Sequence, residues 1–269
     1  MLFRSGRIDF QPGQLLDGLF LRQQGINAKS IALLTSRYTA SLVVRKAVAN
    51  EITSIAKLKG RTVGVTSVGG GTWLFAVYLA KHNGLQPEDL NIVPVGNGIN
   101  ALNAVKSGRV DALSFVDPEN FKLVQDGDAV YLADMTNEEI HKKEIGNSYV
   151  NNQILVLEEY AKKNPKNVQM FVNGIQRALT WAHSATPDEV AATVKSFPNS
   201  AGFEQDIFVG SLKKMLPQAL PTTAVTSREA FDNNVKIPTS AGTLKSPVPY
   251  EEIIDNSFAE IAAKTLAAK

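Results

Sequence analysis

The sequence has 269 residues, of which 44% are hydrophobic and 20% charged, and this length fits one large domain or two small lobes. The net charge is +2, and the 28 basic residues are scattered along the chain, which argues against a nucleic-acid-binding surface. The chain has no cysteine, which excludes disulfides, zinc–thiolate sites, iron–sulfur clusters and cysteine nucleophiles, and it has no apolar run long enough to span a membrane.

The predicted elements begin with a helix end at residues 2–5 and a strand at 8–10, followed by an amphipathic helix over 12–25 and strands over 29–35 and 41–46. Residues 61–116 then have the pattern β-α-β-α-β, with strands at 61–65, 91–95 and 110–116 and a first helix over 72–83. This pattern predicts a small parallel sheet with helical crossovers.

The remainder of the chain is predicted to be mainly helical after one more strand at 151–160. Asn164-Pro165 opens a long helix, since proline is favoured at the first helical position. The segment Thr186-Pro187-Asp188-Glu189 has the spacing of a capping box and opens the next helix. Residues 238–250 are expected to form an irregular loop, and the last helix spans 250 to about 268.

A short string occurs twice: SGRID at residues 5–9 returns as SGRVD at 107–111. The second copy lies between a predicted helix and a predicted strand, so the string is interpreted as a helix-to-strand connector in two similarly built lobes. The second copy follows a segment that begins at residue 61, whereas only four residues precede the first copy. We therefore expect that a β-α-β segment of lobe one is missing or was trimmed from the start.

The order of these elements predicts an α/β protein with two lobes, each a mostly parallel sheet with helices on both faces. Residues 1–45 together with 152–269 are assigned to lobe one, and residues 46–151 to lobe two. Two crossing segments, near 41–46 and 151–157, predict a hinge and a cleft. Ligands of open α/β sheets bind outside the carboxyl ends of the strands, so those ends are expected to line the cleft.

The turn after the strand at 61–65 is the first candidate site. Gly70 and Gly71 allow the backbone to approach a ligand closely, and the helix N-terminus that follows favours an anion. Ser67 and Thr72 add hydroxyl donors. Trp73 is positioned to stack on a planar ligand, although it is equally compatible with a core position. The alternative is that the glycines only form a tight turn.

Two further strand ends carry polar candidates. Residues 96–101 match the pattern G-x-G-x-x-A, but the cluster follows the second strand of its unit and Pro94 interrupts that strand, so a dinucleotide site is not expected. Asn97 in this cluster is a candidate ligand donor. Asp117 follows the strand at 110–116 and is expected either to cap the next helix or to accept a ligand N–H.

Lobe one offers a second set of candidates at residues 36–38. Arg37 suits bidentate pairing with an anionic ligand, with Ser36 and Tyr38 beside it, although it is equally compatible with a solvated loop charge. Asn152 lies near the predicted hinge, from which its side chain can reach the cleft.

The chain lacks a recognisable set of catalytic groups. Its three histidines, His82, His141 and His183, are far apart and show no zinc-binding spacing. No enzyme activity, cofactor or metal is expected.

Three stretches carry a resemblance to a known family: ITSIAKLKGRTVGVTSVGGGTW, NIVPVGNGINALNAVKSGRVDALSFVDP and KKNPKNVQMFVNGIQRALTWAHS. They resemble substrate-binding proteins of ABC importers, in particular the nitrate, sulfonate and taurine type together with the branch that binds thiamine-pyrimidine precursors. The resemblance covers essentially residues 4–198, and the rest more loosely.

The resemblance implies a two-lobed fold of the type II periplasmic-binding-protein kind, with ligand contacts from the turn at 67–73 and the corner at Asp117. It implies a receptor, periplasmic or at the cell surface, that captures a small anionic or heteroaromatic compound by lobe closure. The implied partners are that ligand and the membrane-embedded permease. The receptor is expected to be a monomer that reaches the membrane only through the permease or a lost lipid anchor, and it binds no nucleic acid.

Two other functions remain open. A ligand-sensing regulator uses the same two-lobed architecture but requires a DNA-binding helix-turn-helix, which the chain lacks. A pyrimidine-precursor synthase on this scaffold is the other alternative, and that enzyme carries a cysteine-rich motif.

Overall fold

The computed structural model describes residues 8–194, 204–244 and 246–267. The predicted helix end at 2–5 lies outside these residues. The strands are, in chain order, β1 Phe10–Gln14, β2 Ala28–Thr35, β3 Ala40–Arg45, β4 Thr62–Val65, β5 Asn91–Pro94, β6 Ala112–Val116, β7 Ala129–Ala133 and β8 Asn152–Leu157.

The first helices are α1 Leu15–Gln23, α2 Gly71–His82, α3 Ile99–Lys106, α4 Glu119–Gln125, α5 Glu138–Glu144, α6 Glu158–Lys163 and α7 Pro165–Ser184. They are followed by α8 Pro187–Val194, α9 Gln205–Ala219, α10 Arg228–Ser240, α11 Tyr250–Ile253 and α12 Ser257–Ala267. Short 3₁₀ turns lie at Lys46–Val48, Ile55–Leu58 and Pro87–Asp89. Among the described helices, none combines the length and the hydrophobicity that crossing a bilayer requires.

The chain divides into two compact units. Unit 1 comprises Met1–Tyr38, Ile145–Thr186 and Pro217–Lys269, and unit 2 comprises Thr39–Glu144 and Pro187–Leu216. The sequence prediction placed residues 187–216 in lobe one, whereas the structure groups them with unit 2. The physical reason is packing: Gly210 in α9 lies so close to the ring of Phe121 in α4 that an added Cβ would meet it at 2.5 Å.

Unit 1 is built on a three-stranded sheet in the order β1-β8-β2. Both pairings are antiparallel, which differs from the mostly parallel sheet expected for this lobe, because β8 returns through the middle in the opposite direction. Helices α7 and α12 pack on one face, where Phe10 stacks on Phe171 with 4.1 Å between ring centres. Helices α1, α10 and α11 cover a second hydrophobic cluster.

Two predicted boundaries in unit 1 were wrong. Pro12 belongs to β1 and pairs with Ile154, rather than opening a helix, because an edge strand tolerates a residue without an N–H. The expected last helix is split into α11 and α12, since Ile254 leaves the helix to bridge Ser30 of β2. The long helix α7 begins at Pro165 as predicted, and its apolar stripe is buried at Val168, Val172 and Leu179.

Unit 2 is built on a five-stranded sheet in the order β5-β4-β6-β3-β7. Strand β4 pairs in parallel with β5 and β6, which confirms the predicted β-α-β-α-β segment. Strand β3 is antiparallel to both β6 and β7. The carboxyl ends of β4, β5 and β6 therefore lie at one edge of the sheet, and three polar turns follow them.

Candidate functional site

The turn between β4 and α2 presents the start of a helix at the carboxyl edge of unit 2. Ser67 is exposed, and Gly69 has a φ of +80°, a left-handed conformation that favours glycine. Gly70 is the N-cap residue, and a Cβ there would meet the Ser67 hydroxyl at 2.8 Å, so a larger residue at this position requires the exposed Ser67 side chain to move. The glycines thus allow a tight turn whose outer side faces solvent.

Thr72 closes this turn. Its side-chain oxygen accepts a hydrogen bond from the backbone N–H of Thr66 at 2.9 Å and lies 2.8 Å from the Thr66 hydroxyl. The residue is only 7% exposed, and its carbonyl accepts a hydrogen bond from Ser114 of β6. The hydroxyl that the sequence suggested as a ligand donor therefore holds the turn through Thr66.

The first turn of α2 has the electrostatics of an anion site. The first N–H groups of any α-helix lack acceptors within the helix and carry a partial positive charge. The first turn of α2 has no acidic side chain to offset that charge. Gly71 and the half-buried Trp73 lie in this first turn, so their backbone groups and the indole ring lie at the positively charged end of the helix.

The turn between β5 and α3 lies directly beside the first one. The N–H of Gly96 donates to the carbonyl of Thr66 at 3.3 Å, and Asn97 is exposed at the tip of the turn. The N–H of Gly98 donates to the Glu119 carboxylate at 3.2 Å, which ties this turn to the start of α4. Burial raises the pKa of Glu119 above its usual range. The structure therefore brings Asn97 together with the turn at 67–73.

Asp117, at the end of β6, caps a helix. One carboxylate oxygen accepts the N–H of Phe121 at 3.0 Å, and the side chain is 8% exposed. Lys214 of α9 lies 4.0 Å from the other oxygen, 3.0 Å from Asp134 and 3.5 Å above the Tyr131 ring. Burial raises the pKa of Asp117, while Lys214 opposes the shift. Of the two roles considered for Asp117, the structure contains the capping one.

In unit 1, the candidates cluster where β2 ends and β8 begins. Asn152 pairs with both Gln14 and Thr35, and its N–H donates to the Thr35 hydroxyl at 3.0 Å. The Ser36 hydroxyl donates to the carbonyl of Ala219 at 3.3 Å. The structure thus brings Ser36 and Asn152 to one edge of the sheet.

The other two candidates of this segment differ in exposure. Tyr38 is buried with its ring edge-on to Tyr149, 5.0 Å between centres, and burial raises its pKa. Its ring is a core group rather than an open platform for a ligand. Arg37 is half-buried.

Sequence reasoning missed two buried amides beside the N-terminus of α1. Gln153 is fully buried, and its Nε2 donates to the carbonyl of Gln14 at 3.3 Å, while its Oε1 has no hydrogen-bond partner among the described residues. The Oε1 of Gln11 is also buried without such a partner. The only signal in the sequence was the repeated string. Gln11 follows the strand predicted after SGRID, and Asp117 follows the strand predicted after SGRVD.

The histidines are separately placed. His82 stacks on Tyr78, His183 lies 3.1 Å from the carbonyl of Pro221, and His141 is buried. In the described part of the chain, no group of three or more histidine, aspartate and glutamate side chains is arranged to hold a metal ion.

Comparison with known proteins identifies relatives of this fold. A protein from Bordetella bronchiseptica RB50 has a TM-score of 0.82 and 22% identity over 99% of this chain and 83% of its own. The alkanesulfonate-binding protein SsuA from Xanthomonas axonopodis pv. citri, bound to MOPS, has a TM-score of 0.72 and 18% identity over 95% of this chain and 83% of its own. The periplasmic nitrate-binding protein NrtA from Synechocystis PCC 6803 has a TM-score of 0.69 and 13% identity over 97% of this chain and 75% of its own.

The same fold also occurs in an enzyme. The desulfurization enzyme DszB has a TM-score of 0.67 and 16% identity over 96% of this chain and 85% of its own. These similarities confirm the predicted fold, a mixed α/β architecture of the periplasmic-binding-protein kind, and the fold alone does not separate binding from catalysis.

No curated protein matches the sequence. The family model described as NMT1/THI5 like matches residues 4–190, which is more than half of the chain and includes both SGR strings, the turn at 67–73 and Asp117. The chain therefore belongs to the NMT1/THI5-like family, and its fold is the one shared by nitrate- and sulfonate-binding proteins.

Proposed function

We propose that this protein is the extracytoplasmic solute-binding receptor of an ABC importer and that it holds a small oxyanion, such as a sulfonate or nitrate, at the start of α2. The observation that carries the proposal is the exposed turn of Ser67 to Trp73, whose helix N-terminus has no acidic side chain of its own. Sulfonate and nitrate are also the ligands named for two proteins of the same fold.

Capture by closure of two lobes, docking on a permease and action as a monomer are parts of this proposal that derive from the family resemblance. A heteroaromatic ligand, such as an aminopyrimidine, remains within it because Trp73 lies in the same helical turn. Asn97, Arg37 and Asn152 are proposed as additional ligand contacts.

The proposal is for binding without turnover. The chain has no cysteine for nucleophilic chemistry, and His82 and His183 each have a packing or carbonyl partner. Because an enzyme shares the fold, incubation of the protein with each candidate, followed by mass spectrometry of the recovered compound, is the check. Recovery of an unaltered compound is expected, and a new product would contradict the proposal.

The direct test is isothermal titration calorimetry with nitrate, methanesulfonate, taurine, benzenesulfonate and an aminopyrimidine. The decisive variant is Gly70→Asp, because φ −80° and ψ 175° suit an aspartate N-cap that supplies its own anion to α2. Helix–anion attraction reaches about 2 kcal/mol in partly buried sites, so this variant should bind an anionic probe at least about tenfold more weakly.

Two controls separate charge from shape. Gly70→Ala adds the Cβ without the charge, and Gly174→Asp adds a carboxylate on α7, where nothing lies within 4 Å of the added Cβ. Both should bind the probe more tightly than Gly70→Asp. If no member of the panel binds, or if Gly70→Asp binds an anion as well as the unaltered protein does, the proposed function at this turn is wrong.

A further inference from the structure

Among the described helices, α9 is the one in which the chain passes from one unit to the other. Within the described residues the chain crosses between the units four times, after Tyr38, Glu144, Thr186 and Leu216. The first three crossings lie in a loop, at the end of α5 and at the start of α8. At the fourth, Leu216 and Pro217 are consecutive residues inside α9. Only two crossings were predicted from the sequence, and neither of them lies in a helix.

The part of α9 before Pro217 is fixed to unit 2. The ammonium group of Lys214 lies 3.0 Å from a carboxylate oxygen of Asp134. One turn earlier, Gly210 lies directly against the ring of Phe121. Because Asp134 and Phe121 both belong to unit 2, these contacts hold the helix to that unit as far as Lys214.

The last turn of α9 is fixed to unit 1. The carbonyl of Ala219 accepts hydrogen bonds from the N–H of Ser36 at 2.8 Å and from its hydroxyl at 3.3 Å. Ala219 is buried, and the N–H of Leu33 donates to the carbonyl of Ala224, so the chain beyond the helix continues along β2. The two parts of α9 are therefore held by contacts in different units.

Pro217 lies between these two sets of contacts. Proline has no N–H, so the carbonyl of Lys213 receives no helical hydrogen bond from it, and the ring crowds that carbonyl. An interior proline is for this reason a common site of a bend in a helix. Lys213 and Pro217 are both exposed, so water can reach this side of the helix when it bends. The point at which α9 bends most easily thus coincides with the boundary between the units.

We propose that α9 is a hinge that bends at Pro217, so that the two units change their relative orientation while each part of the helix stays fixed to its own unit. This motion would serve the lobe closure of the proposed function. It is nevertheless a property of the chain without a ligand, and the test therefore uses the ligand-free protein.

The test is the distribution of distances between two spin labels, measured by pulsed electron paramagnetic resonance. The chain has no cysteine, so Asn103→Cys on α3 of unit 2 and Arg177→Cys on α7 of unit 1 provide the only label sites, and both positions are exposed. With Pro217 in place, the distribution should be broad. Pro217→Ala restores the N–H that can bond to the carbonyl of Lys213, and it should narrow the distribution.

Two variants are matched controls, and a thermal melt verifies that each is folded. Pro217→Gly removes the ring but leaves a flexible backbone inside the helix, so the distribution should stay broad. Pro238→Ala replaces the proline inside α10, which lies wholly in unit 1, and should also leave it broad.

Three results would refute the hinge: a distribution in Pro217→Ala as broad as that of the unaltered protein, an equal narrowing in either control, or a narrow distribution in the unaltered protein itself. None of them bears on the proposed function, because ligand binding is measured separately by calorimetry. Failure of every candidate ligand to bind would likewise leave the hinge intact, since the labels report on the ligand-free chain.

Discussion

Replacement of Thr72 by valine removes the side-chain oxygen that closes the β4–α2 turn and leaves the shape of the residue almost unchanged. The oxygen accepts from the Thr66 N–H at 2.9 Å and pairs with the Thr66 hydroxyl at 2.8 Å. After the substitution, both groups of Thr66 face an apolar methyl group. The two turns at this edge of the sheet share the Thr66 backbone, so the loss should affect both.

The expected cost follows from these contacts. A hydrogen bond contributes about 1 kcal/mol net, and a donor left without a partner in a buried site costs about 1–3 kcal/mol. Thr66 is half-buried, so water can reach part of it, and we expect Thr72→Val to lower the free energy of unfolding by about 2 kcal/mol. In a chain of this size, that corresponds to a fall in Tm of about 4–8 °C.

The assay is a thermal melt combined with calorimetric titration of an anionic probe, with Thr72→Ser as the control. Serine retains the oxygen and loses one methyl group, which should cost at most about 1 kcal/mol. Valine should reduce both the Tm and the affinity for the probe, and serine should nearly preserve both. Equal behaviour of the two variants would refute the view that this hydroxyl holds the turn.

Three other predictions concern stability. Burial raises the pKa of Glu119, so the folded state favours the protonated carboxyl group. The stability of Glu119→Gln relative to the unaltered protein should therefore increase as the pH rises above about 4.5. Thermal melts at several pH values will measure this difference. Gly174→Ala should raise the free energy of unfolding by about 0.5–1 kcal/mol, because the site on α7 is open. Gly210→Ala should lower it by about 1–3 kcal/mol, because the added methyl group clashes with Phe121. Denaturant unfolding that shows a change of the same sign for both variants would be inconsistent with the packing described. Lys214→Met should destabilise the protein at pH 7 by about 3–5 kcal/mol, because it leaves two largely buried carboxylates without their cation, and an unchanged melt would show that the ion pairs contribute nothing.

The elements of the β-α-β-α-β segment of unit 2, at residues 61–116, could be predicted because their signals are local. Each strand is a short apolar run, α2 and α3 begin after glycines, and Gly84 and Gly108 mark where these two helices end. The turn at 67–73 was found from the same local signal. These features depend on residues close together in the chain.

The features that were missed depend on distant residues. Pro12 can lie in a strand only because β8, about 140 residues later, pairs with that edge, and the proline itself predicts a helix start. The grouping of α9 up to Leu216 with unit 2 depends on the contact of Gly210 with Phe121. The burial of Gln153 opposite Gly13 in β1 is likewise a cross-strand property that periodicity does not reveal.

The role of individual polar side chains was also beyond the sequence. Asp117 was selected as a ligand contact because it follows a strand, and Thr72 because it adds a hydroxyl group at the start of a helix. Their side chains are nevertheless committed to a helix cap and a turn closure, because the atoms that occupy them belong to Phe121 and Thr66. Position in the chain therefore predicted the turns in which these residues lie and did not predict the hydrogen bonds that their side chains make.

The central claim is that main-chain amides at the start of α2 hold an oxyanion, and titration of ¹⁵N-labelled protein with an alkanesulfonate, followed by amide chemical shifts, tests it most directly. We predict that the amide resonances of Thr72 and Trp73, in the first turn of α2, move most and saturate with one dissociation constant. Saturable binding that leaves those two resonances unmoved would contradict the account.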